Sequence, residues 1–170
     1  MKKTISILVF LTLCFFGTTL SAQSYSSAIG LRLGAPGALS YKFFINETSA
    51  LELYGSYRRR GVLSYHWTSY GMGGTYQVHN DLSSVADGLQ WFYGGGAGIN
   101  FYSWSDDTYF KNEGSLGLLV HGALGLDYRF SEAPVNLSLD WNPTIALTGY
   151  GNGFGAGYGA LSIRYILGDK

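Results

Sequence analysis

The most constraining feature of the sequence is a two-armed segment that spans residues 116–147. Apolar and polar residues alternate along each arm, and a short polar turn, SEAP, separates the arms. Alternation with a period of two places apolar side chains on one face of a strand and polar side chains on the other. The segment therefore predicts a β-hairpin with one apolar face and one polar face.

The arms of this hairpin are long for a soluble protein. Soluble strands usually have about 5–6 residues, whereas a tilted strand needs about 9–11 residues to cross a bilayer. Each arm here has roughly a dozen residues, as membrane-spanning strands do. Length and two-faced pattern together predict a pair of strands from a membrane-spanning barrel.

The first 22 residues have the pattern of a secretory signal peptide. Lys2 and Lys3 form a positive start, an apolar stretch covers residues 5–16, and small residues precede Gln23. The apolar stretch is too short to span a membrane as a helix. We therefore expect residues 1–22 to be removed after export.

The remaining chain, residues 23–170, is predicted to form a single domain. Its composition is unusual for a soluble protein, with 25 Gly, 14 Tyr, 10 Phe, 4 Trp and only 13% charged residues in the full sequence. The single cysteine, Cys14, lies in the signal segment, which argues against a disulfide framework and a thiolate metal site. A formal charge of zero gives no indication of nucleic-acid binding. The profile is typical of an outer-membrane barrel.

Alternation recurs in six further segments, which gives eight predicted strands. They cover residues 25–33, 38–45, 50–58, 67–78, 89–103, 116–130, 135–147 and 156–167. An even number places both chain ends on one side, the periplasmic side in this class, and closure removes the exposed edges that lipid does not tolerate. The predicted fold is all-β, an eight-stranded antiparallel up-and-down transmembrane β-barrel. Residues 79–88 make a long connection for its periplasmic side.

The inward face of these strands carries charges of both signs. The predicted polar network of the lumen consists of Arg32, Lys42, Glu52, Asp127, Arg129, Asp140 and Arg164. Eight strands leave an interior that side chains can fill, and buried charges require partners. We therefore expect a plug of ion pairs. The alternative is a water-filled path along the inward glycines Gly94, Gly96 and Gly98, which otherwise make room for bulky neighbours such as Tyr54 or Tyr158.

Two strand registers give specific predictions. Pairing of Phe130 with Val135 places Gly125 opposite Asp140, where the missing side chain leaves room for the carboxylate.

Pairing of Thr148 with Ala156 then places Asp140 opposite Arg164. We predict an ion pair between these two residues, conditional on both registers.

Aromatic residues cluster on the outer face near the periplasmic strand ends. The predicted periplasmic girdle consists of Phe43, Tyr76, Trp91, Tyr93, Tyr128, Phe130 and Tyr165. Such belts mark the interface between hydrocarbon and water. At the other rim lies the run Arg58, Arg59 and Arg60, which could bind lipopolysaccharide phosphates because arginine suits bidentate phosphate contacts. The alternative for this run is a solvated loop.

No arrangement for catalysis or metal binding is recognised. His121 faces inward with Thr144 opposite, and neither a carboxylate nor a serine lies directly across to complete a triad. His66 and His79 fall in or near connections and lack metal-ligand spacing. We expect no catalytic residue, no metal and no cofactor.

The segments GGGAGINFY and GLDYRF…VNLSLDWNP, together with the signal peptide and the eight alternating segments, resemble small eight-stranded outer-membrane barrels. The group comprises the OmpA-like and OmpW-like proteins and related Bacteroidota outer-membrane barrel proteins. Many of its members end on an aromatic residue that the assembly machinery recognises. Here Tyr165 is followed by Ile166, Leu167 and a polar tail, so that signal is displaced.

The resulting expectation is a non-enzymatic protein of the bacterial outer membrane with a largely plugged polar lumen and a structural, adhesive or narrow-channel role. The resemblance implies outer-membrane lipid, lipopolysaccharide and the barrel assembly machinery as partners, and we expect a monomer that binds no nucleic acid. Two alternatives stay open. One is a lipid A-modifying barrel enzyme, and the other is a periplasmic lipocalin-like binder.

Overall fold

The structure of the protein is a computed structural model. It describes residues 25–34, 37–62, 65–105, 115–149, 153–155 and 158–169. The predicted signal peptide therefore lies outside the described residues, as do residues 35 and 36 between the first two predicted strands.

Ten β-strands make up the described part of the chain. They are β1 Tyr25–Gly34, β2 Ala38–Phe44, β3 Ser49–Val62, β4 Tyr65–Asp81, β5 Leu89–Ser105, β6 Ser115–Arg129, β7 Val135–Trp141, β8 Thr144–Ala146, β9 Gly153–Gly155 and β10 Gly159–Asp169. Strands β7 and β8 continue the same register along β6, so they are two segments of one barrel strand. Among the described residues no helix is long and apolar enough to cross a membrane.

The sheet closes on itself. Its order is β5-β4-β3-β2-β1-β10-β7-β6, and a further antiparallel pairing of β5 with β6 joins the two ends. Each strand otherwise pairs with its neighbours in the chain, and β1 pairs with β10 to join the first and last strands. This confirms the predicted fold class, an eight-stranded antiparallel up-and-down barrel.

A proline interrupts the barrel strand that β7 and β8 form. Pro143 has no backbone N–H, so it cannot donate to the ladder. The Gly122 amide donates to the Pro143 carbonyl at 2.9 Å, and the Asn142 amide donates to the Tyr158 carbonyl at 2.9 Å. Beyond the interruption β8 pairs with β6 on one side and with β9 on the other, so β8 and β9 form a small hairpin at this end of the barrel.

The two faces of the barrel differ as the alternation predicts. The outward face is apolar, and Leu31, Leu39, Met72, Leu139 and Leu161 are 44–60% exposed. The inward face is polar, and it contains most of the buried charged residues. This is the reverse of a water-soluble barrel, in which apolar side chains fill the interior.

At the end that holds the chain termini, the lumen is closed by an apolar cluster. Its members are Tyr25, Ala28, Phe44, Ala50 and Ile166. The rings of Tyr25 and Phe44 pack edge to face with centroids 5.0 Å apart, an orientation that aromatic pairs favour. Apolar side chains therefore fill part of the lumen at this end.

Two predicted connections are shorter than expected. Strand β3 runs through Val62, so the run that begins at Arg58 lies in a strand and not in an opening loop. Strand β4 runs to Asp81, so His79 is a strand residue and the connection covers only residues 82–88. Gly88 ends this connection at φ 81°, a left-handed conformation that favours glycine. The backbone pairing continues because β4 and β5 match residue for residue up to Asp81 and Gln90.

Candidate functional site in the barrel lumen

The lumen has two parts that differ in chemistry. We call the part nearer the chain termini the closed half. It consists of Ser40, Lys42, Glu52, Gln77, His79, Asp127, Asn136, Ser138 and Arg164. Each is 3% exposed or less, and each has a hydrogen-bond partner.

Arg164 is the centre of the closed half. Its Nη2 contacts Glu52 Oε1 at 2.5 Å, and its Nε donates to Ser40 Oγ at 3.0 Å. Its Nη1 donates to Ser138 Oγ at 2.7 Å and to Asn136 Oδ1 at 3.2 Å. All three nitrogens of the guanidinium are therefore bound, as a charge that is 1% exposed requires.

Glu52 joins this centre to the next layer of the lumen. Besides Arg164, its carboxylate accepts from Arg32 Nη1 at 2.8 Å and from Gln77 Nε2 at 2.8 Å. The side chain is completely buried. Three donors on one buried carboxylate, two of them charged, compensate for the loss of water around it.

Lys42 and Asp127 form a second buried ion pair nearer the chain termini. The Lys42 ammonium also lies 2.8 Å from His79 Nε2. Asn136 Nδ2 donates to the other Asp127 oxygen, and the rings of Phe44 and Phe92 lie 5.4 and 5.2 Å from Lys42 Nζ. These contacts surround the ammonium with one carboxylate, one imidazole and two aromatic faces.

The predicted contact between Asp140 and Arg164 is wrong. Asp140 instead accepts from Arg32 Nη2 at 2.9 Å and also from Asn142. In the sheet Asp140 is opposite Ala160, and Arg164 is opposite Asn136. The cause is the position of the turn: Ala146 pairs with Gly153 in the β8–β9 hairpin, so the turn is centred earlier in the chain than predicted, and the partner of Asp140 moves by four residues, from position 164 to position 160.

The register between β6 and β7 is as predicted, since Gly125 lies opposite Asp140. The space above Gly125 is not used by the carboxylate, however. A Cβ at Gly125 would lie 2.6 Å from Phe92 Cζ, so the Phe92 ring occupies that space. The prediction that this glycine accommodates Asp140 is therefore wrong.

Ring-bearing side chains also lie against other inward glycines. A Cβ at Gly96 would lie 2.8 Å from His121 Nε2, and a Cβ at Gly98 would lie 2.9 Å from the Tyr54 hydroxyl. The prediction that these glycines make room for Tyr54 is confirmed for Gly98. Tyr158 is different, because it lies against Gly155 in β9.

At the end away from the chain termini the lumen opens into a cavity of about 150 Å³, which we call the distal pocket. The side chains that matter for its chemistry are Arg32, Tyr54, Ser56, Asn100, His121 and Thr144. Arg32 forms its floor together with Glu52 and Asp140. The pocket therefore begins where the closed half ends.

Hydrogen bonds within the wall orient several of these groups. Thr75 Oγ1 lies 2.8 Å from His121 Nε2, and Asn100 Nδ2 donates to the Tyr102 hydroxyl at 3.3 Å. Thr144 Oγ1 donates to the Asn142 carbonyl at 3.0 Å. The wall is therefore polar and ordered, and it contains neutral groups above the Arg32 floor.

The remaining predicted residues lie as follows. Arg129 lies at the last residue of β6, one inward position beyond Asp127. Neighbouring residues of a strand point to opposite faces, so Arg58 points toward the lumen and Arg59 points outward. The side chain of Arg60 is not among those that the structure describes. The run is therefore not one continuous patch on one face.

The predicted girdle residues all lie on the outward face near the end that holds the chain termini. Three pairs pack ring against ring: Tyr128 with Phe130 at 4.9 Å, Trp91 with Tyr93 at 5.5 Å, and Phe43 with Tyr41 at 5.7 Å. Tyr76 donates from its hydroxyl to Ser49 Oγ at 2.9 Å, and Tyr165 is 57% exposed. Their role as a membrane girdle stays a prediction.

The predicted polar network omits five members of the closed half, and it also omits the nearby ring of Phe92. The five are Ser40, Gln77, His79, Asn136 and Ser138. His79 was missed because its segment was assigned to a connection, although it continues the inward positions of Thr75 and Gln77. Phe92 was missed because it stands at an inward position and is apolar. Only the closed barrel shows that the Phe92 ring covers a charge.

The described residues contain no arrangement for nucleophilic catalysis. His121 contacts Thr75 and the Tyr54 ring, and no carboxylate orients its imidazole. His79 lies 3.4 Å from Asp127, but it is 2% exposed and no substrate can reach it. No group of three or more His, Cys, Asp or Glu side chains among the described residues could hold a metal ion.

No protein-family model matches the chain, and no curated protein matches it. Similar solved structures include Ail, the attachment invasion locus protein of Yersinia pestis, and Neisserial surface protein A. Ail is 12% identical, with 86% of this chain and 94% of that chain covered and a TM-score of 0.47. Neisserial surface protein A is 15% identical, with 85% and 95% covered and a TM-score of 0.49.

Ail has also been solved in complex with the heparin analogue sucrose octasulfate. That structure is 11% identical to this chain and covers 86% of it, with a TM-score of 0.47. The strand pairing of this chain itself establishes the eight-stranded barrel fold that the sequence predicts.

Proposed function

We propose that this protein is a non-enzymatic barrel of the bacterial outer membrane with a closed lumen and a structural or adhesive role at the cell surface. The observation that carries the proposal is the closed half. Arg164, Lys42, Glu52 and Asp127 are almost completely buried inside the barrel, while the outward face is apolar. Charged side chains in the interior and apolar side chains on the outward face suit a barrel that is surrounded by lipid and not by water.

The same distribution argues against a periplasmic lipocalin-like binder. Such a barrel holds an apolar ligand in an apolar interior and presents polar side chains to water. Here Leu139, at 60% exposure, and Leu31, at 56%, are among the outward apolar residues, and Lys42 and Glu52 lie inside. Recovery of the protein in the soluble periplasm without detergent would contradict the membrane assignment.

A single substitution tests the lipid-facing surface directly. Leu139→Arg should destabilise the barrel by about 2–4 kcal/mol in lipid vesicles, because a charge would lie in hydrocarbon. Phe154→Arg is the matched control, since Phe154 lies in the β8–β9 hairpin and is 69% exposed. Equal, small effects of both substitutions on urea unfolding would contradict a lipid-facing position for Leu139.

In this proposal the distal end faces the outside of the cell and the chain termini face the periplasm. The girdle residues would then anchor the barrel at the periplasmic interface, where aromatic rings are favoured. Arg59, which is exposed and outward, would contact lipopolysaccharide phosphate at the opposite rim. Export through a cleaved signal peptide and insertion by the barrel assembly machinery belong to the same proposal.

Conductance in planar bilayers tests whether the lumen is closed. The ion pairs Arg164–Glu52 and Lys42–Asp127 lie in successive layers, and the apolar cluster around Phe44 lies beneath them. We expect no stable conductance steps from the purified protein, with an open porin as the positive control. Regular steps from the unmodified protein would establish a channel and contradict the closed lumen.

The lipid A-modifying alternative has its own test. His121→Gln removes the accessible imidazole of the described lumen without introducing a charge. We expect mass spectra of lipid A from cells with and without this substitution to be identical. A change in lipid A that depends on His121 would replace the proposed function with an enzymatic one.

A further inference from the structure

We propose that the distal pocket binds one neutral sugar ring, either a free monosaccharide or the terminal unit of a glycan. The inference rests on the proposed function in one respect, the orientation that places this pocket outside the cell. Three features of the pocket support it: the size, the net charge, and the hydrogen-bonding groups that converge there.

The size of the distal pocket suits one six-membered ring. Its volume is about 150 Å³. An engineered protein cavity of about this volume holds one benzene molecule. Larger drug-sized ligands need roughly 300 Å³ or more. A single pyranose ring is therefore the size of sugar that the pocket can take.

The charge at the floor of the pocket is balanced, which favours a neutral ligand. Arg32 contacts Glu52 at 2.8 Å and Asp140 at 2.9 Å, and Glu52 is also paired with Arg164. Two arginines thus face two carboxylates. An anionic ligand would have to compete with Asp140 for Arg32, and a cationic one would have to compete with Arg32 for Asp140.

The wall offers hydrogen-bonding groups that the described part of the chain leaves unused. Among the described residues, no protein partner is found for the Tyr54 hydroxyl, Ser56 Oγ, Asn100 Oδ1 or Asn142 Oδ1. In the closed half, by contrast, Ser40 Oγ and Ser138 Oγ both accept from Arg164. Polar groups that converge on a concave site without partners are typical of a ligand-binding pocket.

The arrangement of these groups favours a sugar over a flat heteroaromatic ring. Ser56, Thr75, Asn100 and Thr144 lie on β3, β4, β5 and β8, so polar atoms approach from four different strands. A nucleobase is normally held between flat stacking faces. A pyranose carries hydroxyls around its whole edge and C–H groups on its two faces. The Tyr54 ring gives the pocket an aromatic surface against which one of these faces can pack.

The test is saturation-transfer NMR on the purified full chain in detergent, with the methyl glycosides of glucose, galactose, mannose and N-acetylglucosamine. We expect at least one glycoside to bind and glucuronate to bind more weakly. Tyr54→Phe should lower the affinity about two- to tenfold through the loss of one hydrogen bond. Tyr57→Phe is the matched control, because Tyr57 lies on the same strand and faces outward at 56% exposure.

A second variant pair fills the pocket. Ala146→Phe places a ring in the distal pocket and should abolish binding, whereas Ile145→Phe faces outward and should not change it. Absence of binding by every glycoside, unchanged binding in both Tyr54→Phe and Ala146→Phe, or binding of cytosine in place of the glycosides would overturn the proposal.

A binding assay on intact cells distinguishes the proposed sugar pocket from the proposed orientation of the barrel. Binding of a glycan that carries the preferred terminal sugar to cells that express the protein, lost in Tyr54→Phe, supports both the pocket and its outward orientation. Binding in detergent but not on cells supports the pocket and contradicts the orientation of the proposed function. A preference for the glycan over the free methyl glycoside identifies a terminal unit as the ligand.

Discussion

The closed half and the distal pocket are built from the same strands, yet they treat polar groups in opposite ways. In the closed half Arg164 has four hydrogen-bond partners and Glu52 has three. In the distal pocket Tyr54 and Ser56 have hydroxyls for which no protein partner is found in the described part of the chain. The boundary between the two regions is Arg32, which contacts carboxylates on both sides.

The difference follows from access to water. A charged group that is buried away from water must find its partners in the protein, because an unpaired buried charge costs several kcal/mol. A polar group in an open pocket can bind water, and a ligand can later replace that water. The closed half therefore contributes to stability, and the distal pocket is available for binding.

The largest expected effect comes from Glu52→Gln in the closed half. The substitution removes the carboxylate that Arg164 contacts and keeps the volume, so we expect a loss of about 3–5 kcal/mol in the free energy of unfolding. Urea unfolding in lipid vesicles, followed by tryptophan fluorescence, measures it. Glu132→Gln in the exposed turn before β7 is the control and should change stability by less than about 0.5 kcal/mol. A loss below about 1 kcal/mol at Glu52 would contradict a sealed network.

The ion pair of Lys42 with Asp127 should show strong coupling. Lys42→Met leaves Asp127 without its ammonium partner, and Asp127→Asn leaves Lys42 without its carboxylate, so each should cost about 3 kcal/mol. The double variant should cost about 1–3 kcal/mol less than the sum of the two. Additive losses in the same unfolding assay would show that the two charges do not depend on each other.

An added methyl group should have a smaller effect, and its position should matter. Gly125→Ala would place a Cβ 2.6 Å from Phe92 Cζ, so we expect a loss of about 1–3 kcal/mol. Gly55→Ala is the matched control, because no heavy atom lies within 4 Å of the corresponding Cβ position on the outward face. A neutral Gly125→Ala would mean that both the Phe92 ring and the Leu139 carbonyl oxygen, 2.5 Å from the same Cβ position, can move away from β6.

Replacing a serine by alanine in each region compares the two regions most directly, and the expected changes in stability are the smallest of this series. Ser138→Ala removes an acceptor 2.7 Å from Arg164 Nη1 and should cost about 1–3 kcal/mol. Ser56→Ala in the distal pocket should cost less than about 0.5 kcal/mol. Similar losses at both positions would remove the distinction between a sealed network and an open pocket.

Much of the fold could be predicted from the sequence. Alternation identifies the eight barrel strands, the apolar and polar faces, and the register that places Gly125 opposite Asp140. These features are local, because a period of two depends only on neighbouring residues along one strand. The polar set of the lumen was found for the same reason, and Arg32, Lys42, Glu52, Asp127, Asp140 and Arg164 do meet inside the barrel.

The partners within that set could not be predicted. Arg164 was expected to contact Asp140 and contacts Glu52, which is 112 residues away in the chain. Glu52 lies on β3, and Arg164 lies on β10, so no pairing of adjacent strands brings them together. Their contact crosses the lumen, and only the closed barrel determines which side chains face each other there.

The sequence by itself determined that this chain forms strands with one apolar face and one polar face, because that information repeats every second residue. The tertiary structure decided which half of the interior has its charges buried and paired and which half contains a pocket. The β8–β9 hairpin sets the register of β10, and that register brings Arg164 to Glu52 and leaves Asp140 with Arg32. The closed half and the distal pocket are consequences of closure, which no single strand encodes.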